Sequence, residues 1–125
     1  MSFDRTTQPL DLHAVKIRDS FWGAYQDRVI NHMIPYQWEA LNDRIPSAEK
    51  SHCIHNFRVA AGVEKGEFGG CVFQDSDFSK WIEAVAYALT VKPDPALESI
   101  ADEAIDLVVS AQQPDGYLDT YYIIN

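Results

Sequence analysis

Several features that mark other protein classes are scarce or absent in this sequence. Only 10 of its 125 residues are Lys or Arg, against 19 Asp or Glu, which gives a formal net charge of −9. Such a surface repels phosphate backbones, so nucleic-acid binding is not expected. No apolar run approaches the roughly 20 residues needed to cross a bilayer. The N-terminal residues also lack the apolar core of a secretory leader, so we expect a cytoplasmic protein without a membrane partner.

Cysteine is rare as well. Cys53 and Cys71 are the two cysteines, and without CxxC spacing they cannot make a zinc site alone. In a cytosolic chain we expect both to be ordinary reduced thiols. A phosphate-binding glycine loop, a serine nucleophile elbow and an HExxH zinc motif are absent. The apolar fraction of 46% indicates one ordinary globular domain rather than a disordered chain.

What is present is helical periodicity along most of the chain, with no convincing strand. Residues 1–17 are expected to form an extended lead-in that packs against later parts. Pro35 should kink or divide the first helix, since it lacks a backbone donor. The predicted helices cover about 22–42, 52–61, 78–91 and 95–112, and their predicted caps are Asp19 with Ser20, Ser51, Asp75 to Asp77, and Asp94 with Pro95.

The third predicted helix is apolar almost all round, and this pattern predicts burial with neighbours on more than one side. Helices three and four have the lengths and the short connection of an αα-hairpin. The glycine-rich stretch 62–74 is predicted to be a loop, with Gly62 at the end of the second helix. A tight turn at Gln113–Gly116 should end the fourth helix, and Tyr117–Asn125 should run across the surface.

Asp75 and Asp77 are the first candidate functional residues. Their carboxylates can cap the third helix, which residue type alone favours, or hydrogen-bond sugar hydroxyls at the rim of a groove. They do not define a glycosidase acid pair, because that mechanism needs two carboxyls about 5–9.5 Å apart across the scissile bond.

Two further groups of candidates follow from turn and histidine patterns. Asp115 and Tyr117 lie in the turn after the fourth helix, where a tyrosine could stack on a sugar ring. His52 and His55 are three residues apart, a spacing that can place two metal ligands on one helix face. No third or fourth ligand is evident nearby, so histidines that face solvent or a groove are the favoured interpretation.

Five strings in register resemble the N-terminal region of glycoside hydrolase family 127. Together they extend over nearly the whole chain from about Ile17 onward. They are DSFW at Asp19–Trp22, IPYQW at Ile34–Trp38, FRVAAG at Phe57–Gly62, FQDSDFSKW at Phe73–Trp81 and AQQPDGYLDT at Ala111–Thr120.

The resemblance implies αα-hairpins that form the first part of an (α/α)6 barrel over residues 18–125, in a catalytic domain that continues beyond Asn125. It implies release of β-L-arabinofuranose from plant-type glycans with retention of configuration. The family's nucleophile is a cysteine in a zinc site of three cysteines and a glutamate, with a second glutamate as acid/base. All of these lie C-terminal to this region, and Cys53 and Cys71 match none of them. We therefore expect no catalytic residue and no metal ligand here, an inactive isolated chain, and zinc in the complete enzyme.

The candidate substrate contacts are thus Asp75, Asp77, Asp115, Tyr117 and His52, the last at a position where family members tend to have histidine. Expected partners are a carbohydrate, the remainder of the catalytic domain and a second copy in a homo-oligomer. Two alternatives stay open. One is a free-standing helical module that binds a partner without catalysis, and the other is a different helical-barrel enzyme such as an unsaturated-uronide hydrolase.

Overall fold

The computed structural model describes residues 7–125, and all regular structure in that range is helical, which confirms the all-α prediction. Every helix within residues 7–125 is too short or too polar to span a bilayer. A 3-10 turn lies at Leu12–Ala14, and a π-helical segment occupies Val29–Met33. The α-helices are α1 (Trp22–Arg28), α2 (Ile34–Leu41), α3 (Cys53–Ala60), α4 (Asp75–Val91), α5 (Pro95–Ala111) and α6 (Thr120–Ile124).

The lead-in predicted over residues 1–17 lies partly outside the described residues, since 1–6 are not described. From residue 7 onward it is irregular or extended apart from the turn at Leu12–Ala14. That turn lies near the C-terminal end of α4, and Leu12 faces a cavity that Thr90 and Val91 also line. The side chains of residues 7–17 remain exposed.

The first helical run begins at a cap and is interrupted at a proline, as the sequence predicts. The Asp19 carboxylate accepts from the backbone N–H groups of Phe21 at 3.0 Å and Trp22 at 2.7 Å. Pro35 cannot donate, and its ring would clash with the carbonyl four residues earlier. The Ile34 N–H bonds instead to the Val29 carbonyl, five residues back. The sequence predicts that Pro35 kinks or divides the first helix. In the structure a π-helical segment before the proline separates α1 from α2.

The start of α3 differs from the prediction. Ser51 does not cap it; the residue before the helix is His52, which adopts the left-handed conformation with φ 59°. The Ser51 hydroxyl accepts from Gln74 Nε2 at 3.3 Å instead, because the sharp left-handed turn directs it toward the start of α4. The predicted end of this helix is confirmed, since Gly62 has φ +70°, where a Cβ would be strained.

Helices α4 and α5 form the predicted hairpin. Asp94 caps α5 through its Oδ1, which accepts from Ala96 N at 3.1 Å and Leu97 N at 3.2 Å, while Pro95 occupies the first helical position. At the far end of α5 the Gly116 N–H donates to the Gln113 carbonyl at 2.8 Å, which confirms the turn. The hairpin therefore places the start of α4 and the end of α5 at the same end of the molecule.

The core lies between α2, α3, α4 and α5. Trp81 from α4 is 2% exposed, stacks on Trp38 with ring centroids 4.5 Å apart, and donates its Nε1–H to the Ile34 carbonyl at 3.2 Å. Such buried rings and aliphatic side chains supply most of the stabilising free energy of a small domain. The buried apolar residues are Ile34, Leu41, Cys53, Ile54, Phe57, Phe78, Trp81, Val85, Ala88, Ala101, Ala104 and Ala111.

The predicted burial of α4 is confirmed for the side that carries Phe78, Trp81, Val85 and Ala88, while another side is open within this segment. Tyr87 is 51% exposed and Val91 52% exposed, since the Leu12–Ala14 turn and the first helical run leave this strip of α4 partly open. Ile105 on α5 is 42% exposed as well. Apolar side chains on both hairpin helices therefore remain open to solvent.

The tail also departs from its prediction. Residues Thr120–Ile124 form α6, which is capped by the Asp119 carboxylate. This helix packs against α3, whereas the sequence predicts a tail that runs across the surface. Thr120 is fully buried. The packing fixes the last residues close to the starts of α3 and α4.

Candidate active-site segment

The starts of α3 and α4 lie side by side and bring three of the five candidate residues together. Gln74 joins them: its Nε2 donates to Ser51 Oγ at 3.3 Å and to Asp77 Oδ2 at 2.9 Å. His52 lies between Ser51 and the buried Cys53, whose thiol is close enough to the carboxylates of this region for its pKa to respond to them. His52, Asp75 and Asp77 therefore belong to one neighbourhood.

His52 is held rigidly at the edge of this neighbourhood. Its backbone N–H donates to Asp43 Oδ1 at 3.0 Å, and its Nδ1 lies 3.8 Å from Asp43 Oδ2. Asp43 is itself left-handed, with φ 60°, so two residues in an uncommon conformation are bonded to each other. The Gly69 backbone covers the imidazole so closely that a Cβ at Gly69 would lie 2.6 Å from His52 Cγ.

Asn56 fixes the loop that covers His52. This fully buried side chain donates from Nδ2 to the Gly69 carbonyl at 2.9 Å and accepts at Oδ1 from the Gly69 N–H at 3.0 Å. Both polar groups of the amide are satisfied by one residue, so the loop has a single well-defined position. Asn56 is a positioning residue that the sequence patterns did not single out.

Both ring nitrogens of His55 contact groups other than His52. Its Nδ1 lies 3.0 Å from Glu64 Oε1, and its Nε2 lies 3.2 Å from the Glu67 carbonyl oxygen. The ring centroids of the two histidines are 6.2 Å apart. Within residues 7–125 no three His, Cys, Asp or Glu side chains converge as a metal ion requires. Both ring nitrogens of His55 face the glycine-rich loop instead.

Asp75 and Asp77 lie in the first turn of α4, beside the positive end of the helix, but neither makes the predicted capping hydrogen bond. No side chain caps α4, and the carboxylates make other contacts. Asp75 accepts from Thr120 N at 2.7 Å and from Thr120 Oγ1 at 2.6 Å. Asp77 accepts from Gln74 and, at Oδ1, from Lys80 Nζ at 3.1 Å. The helix starts one residue earlier than a capping Asp75 would need and three residues earlier than a capping Asp77 would need, so both carboxylates are free to bond elsewhere.

A cleft of about 500 Å³ opens beside Asp77, between α2 and α4. We call it the Asp77 cleft. It combines a carboxylate, an amide, a hydroxyl and an ammonium group with one aromatic ring and two aliphatic side chains. Its lining residues are Gln37, Ala40, Leu41, Ser51, Asp77, Lys80 and Trp81.

Asp115 and Tyr117 lie apart from the Asp77 cleft. The Asp115 carboxylate accepts from the Tyr117 N–H at 3.0 Å within the turn after α5, and neither residue lines that cleft. Tyr117 is 47% exposed. The pKa of the Tyr117 hydroxyl is raised above its ordinary value. Partial desolvation is the larger cause, and the nearby Asp119 carboxylate is the next. The phenol is therefore neutral and can donate a hydrogen bond.

The two cysteines have different surroundings, and both are free thiols. Cys53 is fully buried, and burial raises the pKa of its thiol to about 12, assisted by Asp75, Asp77 and Asp43 and opposed by a backbone hydrogen bond at Phe78. It is therefore protonated at neutral pH and poorly suited to act as a nucleophile or a metal ligand. Cys71 is exposed.

Comparison with known proteins shows which family this helical segment represents. Residues 14–125 match the family model of the β-L-arabinofuranosidase catalytic domain of glycoside hydrolase family 127. The chain therefore belongs to glycoside hydrolase family 127, which confirms the family that the sequence resembles.

Three relatives illustrate the match. The non-reducing end β-L-arabinofuranosidase of Bifidobacterium longum subsp. longum is 45% identical over 122 residues, which cover 88% of this chain and 18% of that enzyme. The crystal structure of a β-L-arabinofuranosidase of the same family from Geobacillus stearothermophilus T6 has a TM-score of 0.86 at 63% identity, over 88% of this chain and 17% of that one. The family member BT3674, a β-arabinofuranosidase, has a TM-score of 0.81 at 30% identity, over 94% and 18%.

The chain thus spans less than a fifth of the length of these relatives and corresponds to a small N-terminal part of them. The fold of the structural neighbours is an (α/α)6 barrel, of which the present helices are a partial segment. The fold class expected from the sequence is confirmed.

Sequence reasoning missed most of the residues that surround Asp77. Gln37, Ser51, Gln74 and Lys80 contact or line the Asp77 cleft, and none was proposed as a functional residue. Two of the strings quoted above contain three of them, since Gln37 lies in IPYQW, and Gln74 and Lys80 lie in FQDSDFSKW. Their polar residues, set among aromatic ones, were the available indication.

Proposed function

We propose that this chain supplies the N-terminal segment of a retaining β-L-arabinofuranosidase that acts on plant-type glycans, and that the Asp77 cleft forms part of its sugar-binding surface. The family membership supports the reaction class. The observation that supports the location is the composition of the Asp77 cleft, in which a fixed carboxylate lies beside a tryptophan.

A sugar ring presents hydroxyl groups at its edge and C–H groups on its faces. Asp77 can accept from hydroxyls, Lys80 can donate to them, and the Gln37 amide can do both. The Trp81 side chain, with only 2% of its surface exposed, contributes a small apolar area to the same cleft. The Gln74 amide fixes the Asp77 carboxylate at 2.9 Å, so little conformational entropy is lost when a ligand binds.

The bond-breaking steps are assigned to residues outside this segment. The Cys53 thiol is buried and protonated, so it is poorly suited to attack a sugar. A zinc ion, which the family resemblance implies, would support a cysteine nucleophile when bound. The residues described here contain no converging set of ligands for it. We therefore propose that the isolated chain binds sugar without hydrolysing it.

Complementation tests this function. The chain is mixed with the Geobacillus stearothermophilus enzyme from which the aligned N-terminal segment has been deleted, and release from an aryl β-L-arabinofuranoside is measured. We expect turnover from the mixture and none from either component. A covalent chimera of the same two parts serves as a second format if sedimentation shows that the parts do not associate. An inactive but folded chimera would contradict the proposed activity.

Two variants locate the sugar surface within the same assay. Asp77→Asn removes the acceptor charge in the cleft and should lower kcat/KM about 10- to 100-fold, since a hydrogen bond to a charged group is worth about 1.5–3 kcal/mol. Asp102→Asn, on the exposed side of α5, removes the same charge and should leave kcat/KM unchanged. Equal activities for the two variants would refute the role of the Asp77 cleft and leave the activity assignment intact.

A further inference from the structure

A second cleft, of about 480 Å³, lies between α2, α3 and α5 and has no part in the proposed sugar site. We call it the arginine cleft, because two guanidinium groups enter it between apolar side chains. Apolar walls with a few convergent polar groups are typical of sites for small ligands. Its principal lining residues are Trp38, Asn42, Arg44, Ile54, Arg58 and Leu107.

The two guanidinium groups converge on one neutral oxygen. Arg58 Nη2 donates to Asn42 Oδ1 at 3.1 Å, and Arg44 Nη2 donates to the same atom at 3.3 Å. The Asn42 amide is itself oriented, because its Nδ2 donates to the Trp38 carbonyl at 2.9 Å. Two like charges are thus brought together over a shared acceptor, although an amide oxygen neutralises neither of them.

The two arginines differ in whether a carboxylate neutralises their charge. Arg44 pairs with Glu39 at 3.1 Å. No carboxylate among residues 7–125 lies within 4.0 Å of Arg58, and Nη2 makes the only side-chain hydrogen bond of this guanidinium in that range. Arg58 is nevertheless half-buried, in a chain with a formal net charge of −9. A partly desolvated cation without a counter-charge favours an anion from elsewhere.

We propose that the arginine cleft is a binding site for one carboxylate group, which Arg58 receives through its free N–H groups. A carboxylate matches the planar fork of a guanidinium and accepts two parallel hydrogen bonds from it. The apolar walls contact the organic part of the ligand. Glu39 and Glu103, which also line the cleft, disfavour a doubly charged phosphate.

Benzoate is the probe, because it joins one carboxylate to a planar apolar body. Titration of the 15N-labelled chain should give saturable NMR shifts at Arg58 and at residues of the cleft. Arg58→Gln should weaken binding at least about tenfold, and Arg58→Lys should weaken it less, since the charge remains but the fork is lost. Arg28→Gln, at an arginine placed over the exposed Tyr25 ring, is the matched control and should bind as the parent does.

Circular dichroism establishes that each variant keeps its helices, so a loss of binding is not a loss of fold. Inorganic phosphate and chloride should bind more weakly than benzoate. Shifts that do not saturate, that persist unchanged in Arg58→Gln, or that are larger with phosphate would overturn the proposal.

The carboxylate can come from a free ligand or from an acidic side chain of the remaining catalytic domain, and the covalent chimera described above separates the two sources. Benzoate binding retained in the chimera identifies a free ligand, whereas binding lost in the chimera identifies a carboxylate of the protein itself. Because the measurement is binding at Arg58, its failure would leave the proposed glycosidase function untouched.

Discussion

Asp75 accepts two hydrogen bonds from a single residue, Thr120, which lies 45 positions further along the chain. The carboxylate meets the Thr120 backbone N–H at 2.7 Å and its hydroxyl at 2.6 Å. Because Thr120 is fully buried, neither donor can turn to water if the carboxylate is removed. The contact joins the start of α6 to the start of α4.

Asp75→Asn should therefore loosen α6. The amide keeps one oxygen to accept from the Thr120 N–H, but its NH2 group cannot accept from the Thr120 hydroxyl and the carboxylate charge is lost, so the free energy of unfolding should fall by about 1.5–3 kcal/mol. Urea unfolding followed by circular dichroism measures the loss, and hydrogen exchange should accelerate at residues 120–124. Asp102→Asn is the control, with an expected change within about 0.5 kcal/mol. Equal losses in the two variants would show that the contact with Thr120 is not the cause.

The Cys53 thiol should make the fold sensitive to alkaline pH. Its pKa rises from 9.0 to about 12 on folding, so below pH 9 it is protonated in both states and the full stability is present. Above pH 9 the unfolded chain loses the proton first, and the free energy of unfolding falls by up to about 1.4 kcal/mol per pH unit. Urea unfolding from pH 8 to 10 should show this slope, and Cys53→Ala should lack it. Identical slopes would contradict the assignment.

Gly69 and Gly23 should respond oppositely to alanine. A Cβ at Gly69 would lie 2.6 Å from His52 Cγ, so Gly69→Ala should displace the loop or the ring and lower stability by about 1–3 kcal/mol. Gly23 lies in α1 with open space around it, so Gly23→Ala should raise stability by up to about 1 kcal/mol. Thermal unfolding and the NMR resonances of His52 report both effects. An unshifted His52 in Gly69→Ala would refute the close approach.

The isolated chain should self-associate through its exposed aromatic side chains. Phe21, Trp22 and Tyr25 form one group with ring centroids 5.0–6.1 Å apart, and Trp22 is 61% exposed. Exposed apolar patches of this kind promote association. Sedimentation velocity should show oligomers that decrease in Trp22→Ser but not in Val63→Ser, where the residue replaced is 71% exposed but lies outside this aromatic group. A monomeric parent chain would contradict the prediction.

Helix ends were largely predictable from the sequence, whereas contacts between segments were not. Asp94 with Pro95 and the left-handed Gly62 set helix limits through chemistry local to a few residues, and the structure confirms them. Ser51 and Asp75 look as suitable for capping as Asp94 does. In the structure, however, neither of them caps a helix. Each has a polar partner brought near by packing, Gln74 for Ser51 and Thr120 for Asp75. A cap can be inferred from neighbours in sequence only when no distant group offers a better hydrogen bond.

The sequence by itself determined the helical class, the helix-ending turns and the family, because periodicity, proline, glycine and the quoted strings act locally or are recognisable without coordinates. Only the tertiary structure decided that Asn56 holds Gly69, that Arg58 and Arg44 share Asn42, and that the tail folds onto α3. These contacts depend on which helix faces meet. That choice is made by burial of the whole core around Trp81, and no short stretch of sequence contains it.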